Sequence, residues 1–255
     1  MKPQTYHIKG IPGEDFGTTV RNIKPLPENY KYINRNIFAR FFSFLAYHCI
    51  AVPACWLYLK FKYHQKIVGK KNMKKLDGCY IYANHTMVVG DVMVPNILSH
   101  KKNYIIIGEQ AKSLTGILPL IRAAGGIPLP DSIKQAESML SCLKELENKG
   151  KTITIYPEAH VWPYYTGIRE YAPNNFTYPV MHKKPIIVVT NCYQKRKHSK
   201  TPKLVTFVDG PFYMDETLNK KQNEVMLRDK AYNTMKERTE KYSTYSFNTY
   251  IKEEC

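Results

Sequence analysis

The stretch CYIYANHTMVVGD, residues 79–91, carries the strongest indication of the fold. Its first five residues are apolar and rich in side chains that favour sheets, so they predict a buried strand. The strand runs directly into Asn84 and His85. Because α/β folds place reactive groups at the carboxyl ends of their strands, His85 is the first candidate functional residue.

Asp91 is the candidate partner of His85. A carboxylate that is hydrogen-bonded to an imidazole holds it in one tautomer and stabilises its protonated form. Five residues separate the two, which is too many for a simple i, i+4 pair, so a loop containing Gly90 must bring the carboxylate back. Alternatively, His85 caps a helix over Val92–Leu98 and Asp91 favours its positive end. Taken alone, the pattern leaves both interpretations open.

Strands and helices are expected to alternate after residue 60. Further strands are predicted at Asn103–Ile107, Lys151–Tyr156, Pro185–Thr190 and Leu204–Val208. A helix after Ser132 has a capping box with Gln135 and one apolar stripe: Ala136, Met139, Leu140, Leu143 and Leu146. A charged helix over Gln222–Glu240 carries a weaker stripe of Val225, Leu227, Ala231 and Met235. This alternation predicts an α/β fold with a mostly parallel central sheet flanked by helices.

The amino-terminal part differs in composition. Residues 1–36 are polar and contain four prolines, which predicts an extended leader. Residues 37–63 are apolar, and no Asp, Glu, Lys or Arg lies between Phe41 and Leu59. Pro53 should break a helix there, and basic residues flank both ends, whereas a spanning helix usually has a one-sided basic bias. We interpret this segment as an apolar helical hairpin in a membrane interface; a buried helix pair and a true span are the alternatives.

The net charge restricts the kinds of partner that are expected, and the cysteine content indicates the redox environment. The formal charge of +17 implies an anionic partner such as nucleic acid, lipid headgroups or a phosphorylated cofactor, although dispersed charge also fits a solvated surface. No zinc-finger spacing or aromatic-basic platform supports nucleic acid. Six cysteines without a C-x-x-C pair indicate a reducing location. The first residues lack the apolar core of a signal peptide.

Two further elements follow strands. Tyr156-Pro157-Glu158-Ala159-His160 ends the strand predicted at 151–156, where a turn with a solvated glutamate is the alternative. Gly125 and Gly126 form a glycine-rich loop before the helix that starts after Ser132. Such a loop lets a ligand approach the backbone closely, although an ordinary tight connection has the same composition.

Together and in this order, the elements resemble the glycerolipid acyltransferase family, in its lysophosphatidic acid acyltransferase (PlsC-like) group. The family's successive motifs are N-H-x4-D, G-x-x-[FI]-x-R, F-P-E-G-T-R-S and a proline-centred apolar block. The corresponding segments here are Asn84-His85 with Asp91, Gly125–Pro130, Tyr156-Pro157-Glu158 and Lys184–Val189. The resemblance covers roughly residues 60–210.

The resemblance implies that residues 64–255 are an acyltransferase domain. Its substrates would be an acyl thioester, either acyl-CoA or acyl carrier protein, and the hydroxyl of a glycerol-based lysolipid. His85 would be the general base and Asp91 would orient it, with no covalent acyl-enzyme, no cofactor and no metal. The expected substrate-binding residues are Asn84, Gly125, Gly126, Pro157, Glu158, His160, Arg122 and Arg169. The expected location is the cytoplasmic face of a membrane with anionic lipids, in a peripheral or monotopic arrangement.

The chain departs from the family's pattern in two places. One extra residue separates His85 from Asp91. The arginines that the family associates with the acceptor's phosphate are absent, and Pro130-Asp131 and Val161 stand at those places, with Arg122 and Arg169 as possible substitutes. Acyl transfer is therefore better supported than a phosphate-bearing acceptor. A hydrolase that uses the same pair on water, without a G-x-S-x-G elbow, and a non-enzymatic lipid-binding protein are the alternatives.

Overall fold

The computed structural model describes residues 2–9, 14–16, 25–74, 76–108 and 118–253. Residues 1, 10–13 and 17–24 of the predicted leader lie outside this part of the chain. The strands are β1 (Thr5–Ile8), β2 (Lys66–Val68), β3 (Cys79–Ala83), β4 (Asn103–Ile107), β5 (Gly126–Pro128), β6 (Thr152–Ile155), β7 (Ile186–Arg196), β8 (Ser199–Phe212) and β9 (Thr249–Lys252).

A seven-stranded sheet in the order β2-β8-β7-β3-β6-β4-β5 forms the centre of the fold. Neighbouring strands are parallel except β7 and β8, which form an antiparallel pair. The predicted α/β class with a mostly parallel sheet is confirmed. β3 lies between β7 and β6 and is buried along its whole length, as its apolar sequence predicts.

The helices of the described residues are α1 (Ile37–Tyr63), α2 (Gly90–Leu98), α3 (Leu118–Ala123), α4 (Ile133–Asn148), α5 (Thr177–His182) and α6 (Lys220–Tyr242). Short 3₁₀ turns lie at Lys70–Met73 and Pro173–Phe176. α1 and α2 cover one face of the sheet, where Leu59 and Leu98 are fully buried. α4 and α6 cover the other face, with Leu143 and Ala231 in its core.

The predicted apolar hairpin is wrong, because α1 is one continuous helix of 27 residues. Its middle, Ala46–Ala51, is a π-helical segment, and the Val52 N–H bonds to the carbonyl of Tyr47, five residues back. Pro53 follows this wide turn at the start of the next regular segment. The π turn accommodates the proline, whose missing N–H and bulky ring would otherwise interrupt an α-helical ladder.

Two predicted details of the helices are also corrected. Ser132 caps α4 by accepting a hydrogen bond from the Gln135 N–H at 3.3 Å, but the Gln135 side chain does not complete a capping box. Its Oε1 accepts from the N–H of Asp131, and its Nε2 donates to the carbonyl of Pro27 in the leader. Val225 is 41% exposed and lies off the buried stripe of α6. Tertiary packing decides both cases.

The amino- and carboxyl-terminal segments lie together beside the main sheet. β1 and β9 pair in parallel from Thr5–Thr249 to Ile8–Lys252. Phe16 packs edge-on against Trp162, with ring centroids 5.3 Å apart. The described part of the predicted leader therefore contacts the loop that follows β6.

Candidate active site

His85 and Asp91 form a hydrogen-bonded pair at the carboxyl end of β3. The distance from His85 Nδ1 to Asp91 Oδ2 is 2.7 Å. Asp91 is buried, and its Oδ2 also accepts the Met87 N–H at 2.8 Å. His85 Nε2 has no hydrogen-bond partner among the residues that the structure describes. The arrangement leaves Nε2 able to accept a proton while Nδ1 is held by the carboxylate.

The extra residue in this loop does not separate the pair. The Asp91 N–H bonds to the Met87 carbonyl at 3.2 Å, which closes a helical turn at the start of α2. Gly90 has no positive φ, so it does not supply the unusual backbone conformation expected from the sequence. A side chain at this position would instead collide with the Met87 side chain, 2.3 Å from its methyl carbon. The two closest atoms are the flexible end of the Met87 side chain, so a larger residue here would require that side chain to move.

The surroundings of Asp91 have opposing effects on the pKa of its carboxyl group. Burial raises the pKa of the carboxyl group, and the hydrogen bonds from His85 and from backbone N–H groups lower it. The net direction is upward. The hydrogen bond from His85 is the largest of the contributions that favour the carboxylate.

Tyr156 is a site residue that sequence reasoning did not select. Its ring stacks on the His85 imidazole, with centroids 4.4 Å apart and an angle of 25° between the planes. Its hydroxyl donates to the Asp91 carbonyl. Tyr156 therefore holds one face of the imidazole and the start of α2. The sequence offered one indication of this role, because Tyr156 directly follows the apolar strand β6 and therefore lies at the same edge of the sheet as His85.

Asn84 joins two strands of the sheet. It is fully buried, its Nδ2 donates to the Asn191 carbonyl at 3.0 Å, and its Oδ1 accepts the Asn191 N–H at 2.8 Å. Both ends of the amide are thus used by β7. Asn84 fixes the strand end from which His85 projects, and its expected contact with substrate stays a prediction.

Glu158 connects the ends of β3 and β6. Its Oε2 accepts the backbone N–H of His85 at 2.8 Å, and its Oε1 accepts that of Arg169 at 2.9 Å. The Arg169 guanidinium donates to Oε2 at 3.2 Å. The Glu158 side chain is 1% exposed. The geometry gives this carboxylate a supporting role behind His85.

The candidate residues near Glu158 also make contacts within the protein. The Arg169 guanidinium lies 4.8 Å from the Trp162 ring and donates to the His160 carbonyl. The His160 imidazole lies 3.6 Å from the carboxylate of Asp15. The Pro157 carbonyl accepts a hydrogen bond from the side chain of Asn175 at 3.2 Å. These residues build the wall of the site next to Glu158.

Gly125 and Gly126 do not lie beside the pair, and the Arg122 guanidinium lies 5.4 Å from the centre of the Tyr30 ring. The strand registers place Gly126 level with Ile81 of β3, three strands away. That is about 13 Å along the strands and about 14 Å across them from His85. Gly125 has a φ of 104°, and a side chain there would lie 2.5 Å from the Asn103 carbonyl. This glycine is required for a tight approach to β4.

The comparison with protein families identifies the class. Residues 64–187 match the family model described as Acyltransferase. This segment contains β3 with His85, α2 with Asp91, and β6 with Glu158. The chain therefore carries an acyltransferase domain over these residues, just under half of its length.

The comparison with solved structures adds the fold type. Six chains match, and one of them is the 1-acyl-sn-glycerophosphate acyltransferase PlsC from Thermotoga maritima. The TM-score is 0.56 at 18% sequence identity, covering 80% of this chain and 86% of that one. A comparison with curated proteins found no match. The fold is PlsC-like.

Proposed function

We propose that this enzyme transfers a fatty acyl group from an acyl thioester to a hydroxyl of a glycerol-based lysolipid, with His85 as general base. The observation that carries the proposal is the 2.7 Å contact between His85 Nδ1 and Asp91 Oδ2, which leaves Nε2 unpartnered among the described residues. The acyltransferase family and the PlsC-like fold support the reaction class.

In the proposed mechanism, His85 Nε2 takes the proton of the acceptor hydroxyl as its oxygen attacks the thioester carbonyl. The imidazolium is stabilised by Asp91. Collapse of the tetrahedral intermediate breaks the carbon–sulfur bond, and the imidazolium returns the proton to the leaving thiolate. General-base catalysis of this kind contributes roughly 10²–10⁴-fold. Because the thiolate leaves readily, no acyl-enzyme is required.

We also propose that α1 holds the enzyme on a membrane. The helix is 27 residues long and, by length and composition, apolar enough to cross a membrane, and little of it is buried in the protein. Its exposed residues include Phe38, Phe42 and Phe61, each at least 66% exposed. A peripheral or monotopic position on the cytoplasmic face suits this helix and the basic charge of the protein.

The residues near His85 bear on whether the acceptor carries a phosphate. Glu158 binds the backbone N–H of His85 and the Arg169 guanidinium, which also donates to the His160 carbonyl, so this pair is not set up as a phosphate site. We therefore propose that the acceptor need not carry a phosphate next to its hydroxyl.

The proposal is tested by incubating the protein with long-chain acyl-CoA, or with acyl carrier protein, and a panel of lysolipids with and without a terminal phosphate. Mass spectrometry of the lipids distinguishes the outcomes. We expect a diacyl product whose formation does not require the phosphate. Release of free fatty acid without a diacyl product would favour the hydrolase, and no turnover of any pair would favour a lipid-binding role.

A further inference from the structure

Three valines next to the histidine–aspartate pair are exposed. Val88 and Val89 form the turn between His85 and Asp91, and they are 49% and 54% exposed. Val92, on the first turn of α2, is 49% exposed. We call these three residues the valine patch. A polar turn would be expected in water, so an apolar turn at the mouth of a site indicates contact with an apolar medium.

The backbone holds the valine patch in place. The hydrogen bond from the Asp91 N–H to the Met87 carbonyl closes the turn, and the Met87 side chain is buried in the core beneath it. The carboxylate of Asp91 binds the Met87 N–H from the inside. The two valines of the turn are therefore presented outward by the same bonds that position the pair.

The valine patch lies in the same layer as the apolar helix α1. α1 and α2 share one core cluster, in which Leu59 and Tyr63 pack with Val94. A hydrogen bond of 2.9 Å also joins the Tyr47 hydroxyl to Asn96 of α2. Much of the rest of α1 is exposed, including the side chains of Phe38, Phe42, Trp56 and Phe61.

The charges in this layer favour an anionic lipid surface over a protein partner. No Asp or Glu lies between Asn29 and Leu76, a stretch that contains ten lysines and arginines. Asp91 is the one carboxylate of α2, and it is buried against His85. An apolar surface bordered by cations and without an exposed carboxylate in α1 or α2 matches the headgroup region of an anionic bilayer.

We infer that the valine patch inserts into the bilayer as a second contact beside α1, so that the acceptor hydroxyl reaches His85 Nε2 while the lysolipid stays in its leaflet. The role of this contact in delivering the acceptor hydroxyl rests on the proposed function. The insertion itself is a binding event that can be measured without any turnover.

The test compares the full-length protein with the double variant Val88→Asp/Val89→Asp. Binding is measured by co-sedimentation with vesicles of equal parts phosphatidylcholine and phosphatidylglycerol. We expect the double variant to bind vesicles at least about tenfold more weakly than the wild type, because two apolar side chains are lost and two anions are added. Binding equal to that of the wild type would overturn the inference.

Two controls separate insertion from other effects. Ile133→Asp places one aspartate at a residue that is 83% exposed, on the helix α4 that covers the other face of the sheet, and should leave binding unchanged. Val88→Asn/Val89→Asn removes the apolar groups without adding charge and should give a smaller loss. If Ile133→Asp lost binding as strongly as the double Asp variant, or if the Asn variant lost none, the insertion of the valines would be contradicted.

Activity provides the second measurement. We expect the double Asp variant to lose acyl transfer to a lysolipid embedded in vesicles, and to keep transfer to a short-chain lysolipid that is monomeric in solution. Equal losses with both acceptors would place the valines in the reaction itself and overturn the inference. If the wild type transfers no acyl group at all, the proposed function fails while the binding result still decides the insertion.

Discussion

At the residue scale, one carboxylate oxygen organises the site. Asp91 Oδ2 accepts both His85 Nδ1 and the Met87 N–H, at 2.7 and 2.8 Å. The same atom thus fixes the tautomer of the imidazole and the path of the loop. A neutral amide cannot stabilise the imidazolium that forms during proton transfer.

Asp91→Asn should therefore lower kcat by about 10²–10⁴-fold, with a much smaller change in KM. The measurement is steady-state acyl transfer with varied acceptor, together with a circular-dichroism check of the fold. Tyr156→Phe is the comparison variant, since it removes a hydroxyl that bonds to the Asp91 backbone and keeps the ring on His85. A wild-type kcat in Asp91→Asn would mean that His85 works without the carboxylate.

Ala159 occupies a backbone conformation that suits glycine. Its φ is 63°, and the residue is exposed directly after Glu158. A left-handed conformation costs a residue with a Cβ about 1 kcal/mol relative to glycine. Ala159→Gly should raise the free energy of unfolding by up to about 1 kcal/mol, measured by urea denaturation. Ala136→Gly, inside α4, should lower it by about as much, and a loss of stability in both variants would refute the strain at Ala159.

At the element scale, the pair of Glu158 and Arg169 joins the ends of β3 and β6. The two side chains are 1% and 15% exposed, so removal of either partner leaves a buried charge uncompensated. Glu158→Gln and Arg169→Gln should each cost about 3–5 kcal/mol of unfolding free energy. The double variant should cost far less than their sum.

The measurement is a double-mutant cycle by urea unfolding. The matched control is the exposed pair of Lys236 and Glu240, 4.0 Å apart, whose coupling should stay below about 1 kcal/mol. Additive losses at Glu158 and Arg169 would show that the carboxylate supports the site without the guanidinium.

Lys102 joins α1 to the start of β4. Its ammonium donates to the Ser43 hydroxyl at 3.1 Å and to the Ala123 carbonyl. Burial, with a contribution from the charge of Lys151, lowers the pKa of Lys102 to about 8. Below pH 8 the lysine is protonated in both folded and unfolded states, and its burial costs stability. Between pH 8 and the ordinary lysine pKa the unfolded state binds more protons, so the cost falls as pH rises.

The wild type should therefore gain stability relative to Lys102→Met as the pH is raised above 8. Urea unfolding of both proteins on either side of pH 8 measures this difference. A pH-independent difference for Lys102→Met would show that its ammonium is not desolvated.

At the scale of the whole molecule, the sequence predicted the features that local patterns determine. The bounds of β3 and β4 agree with their apolar runs, and the sheet is mostly parallel as the alternation of elements predicted. β7 and β8 are longer than predicted because their far ends pair with each other as a polar antiparallel hairpin. An apolar run does not mark that part of a strand.

The features that depend on distant residues could not be read from local patterns. The place of Glu158 at the acceptor site stays a prediction, and no local pattern indicated its partners, which are the backbone of His85, 73 residues away, and Arg169. Pro53 was expected to end a helix, and a π turn absorbs it. Gln135 was expected to cap its own helix and binds the leader instead, more than 100 residues away. In each case a tertiary contact outweighs a local rule.

The central claim is that His85 is the general base of acyl transfer in this PlsC-like enzyme. The most direct measurement is the rate of diacyl product formation by His85→Ala, with wild-type protein and the folded Ile133→Asp variant as references. The account predicts a loss of about 10²-fold or more, with binding to vesicles unchanged, because the surface that meets the membrane is intact. Acyl transfer at the wild-type rate by a folded His85→Ala protein would contradict it.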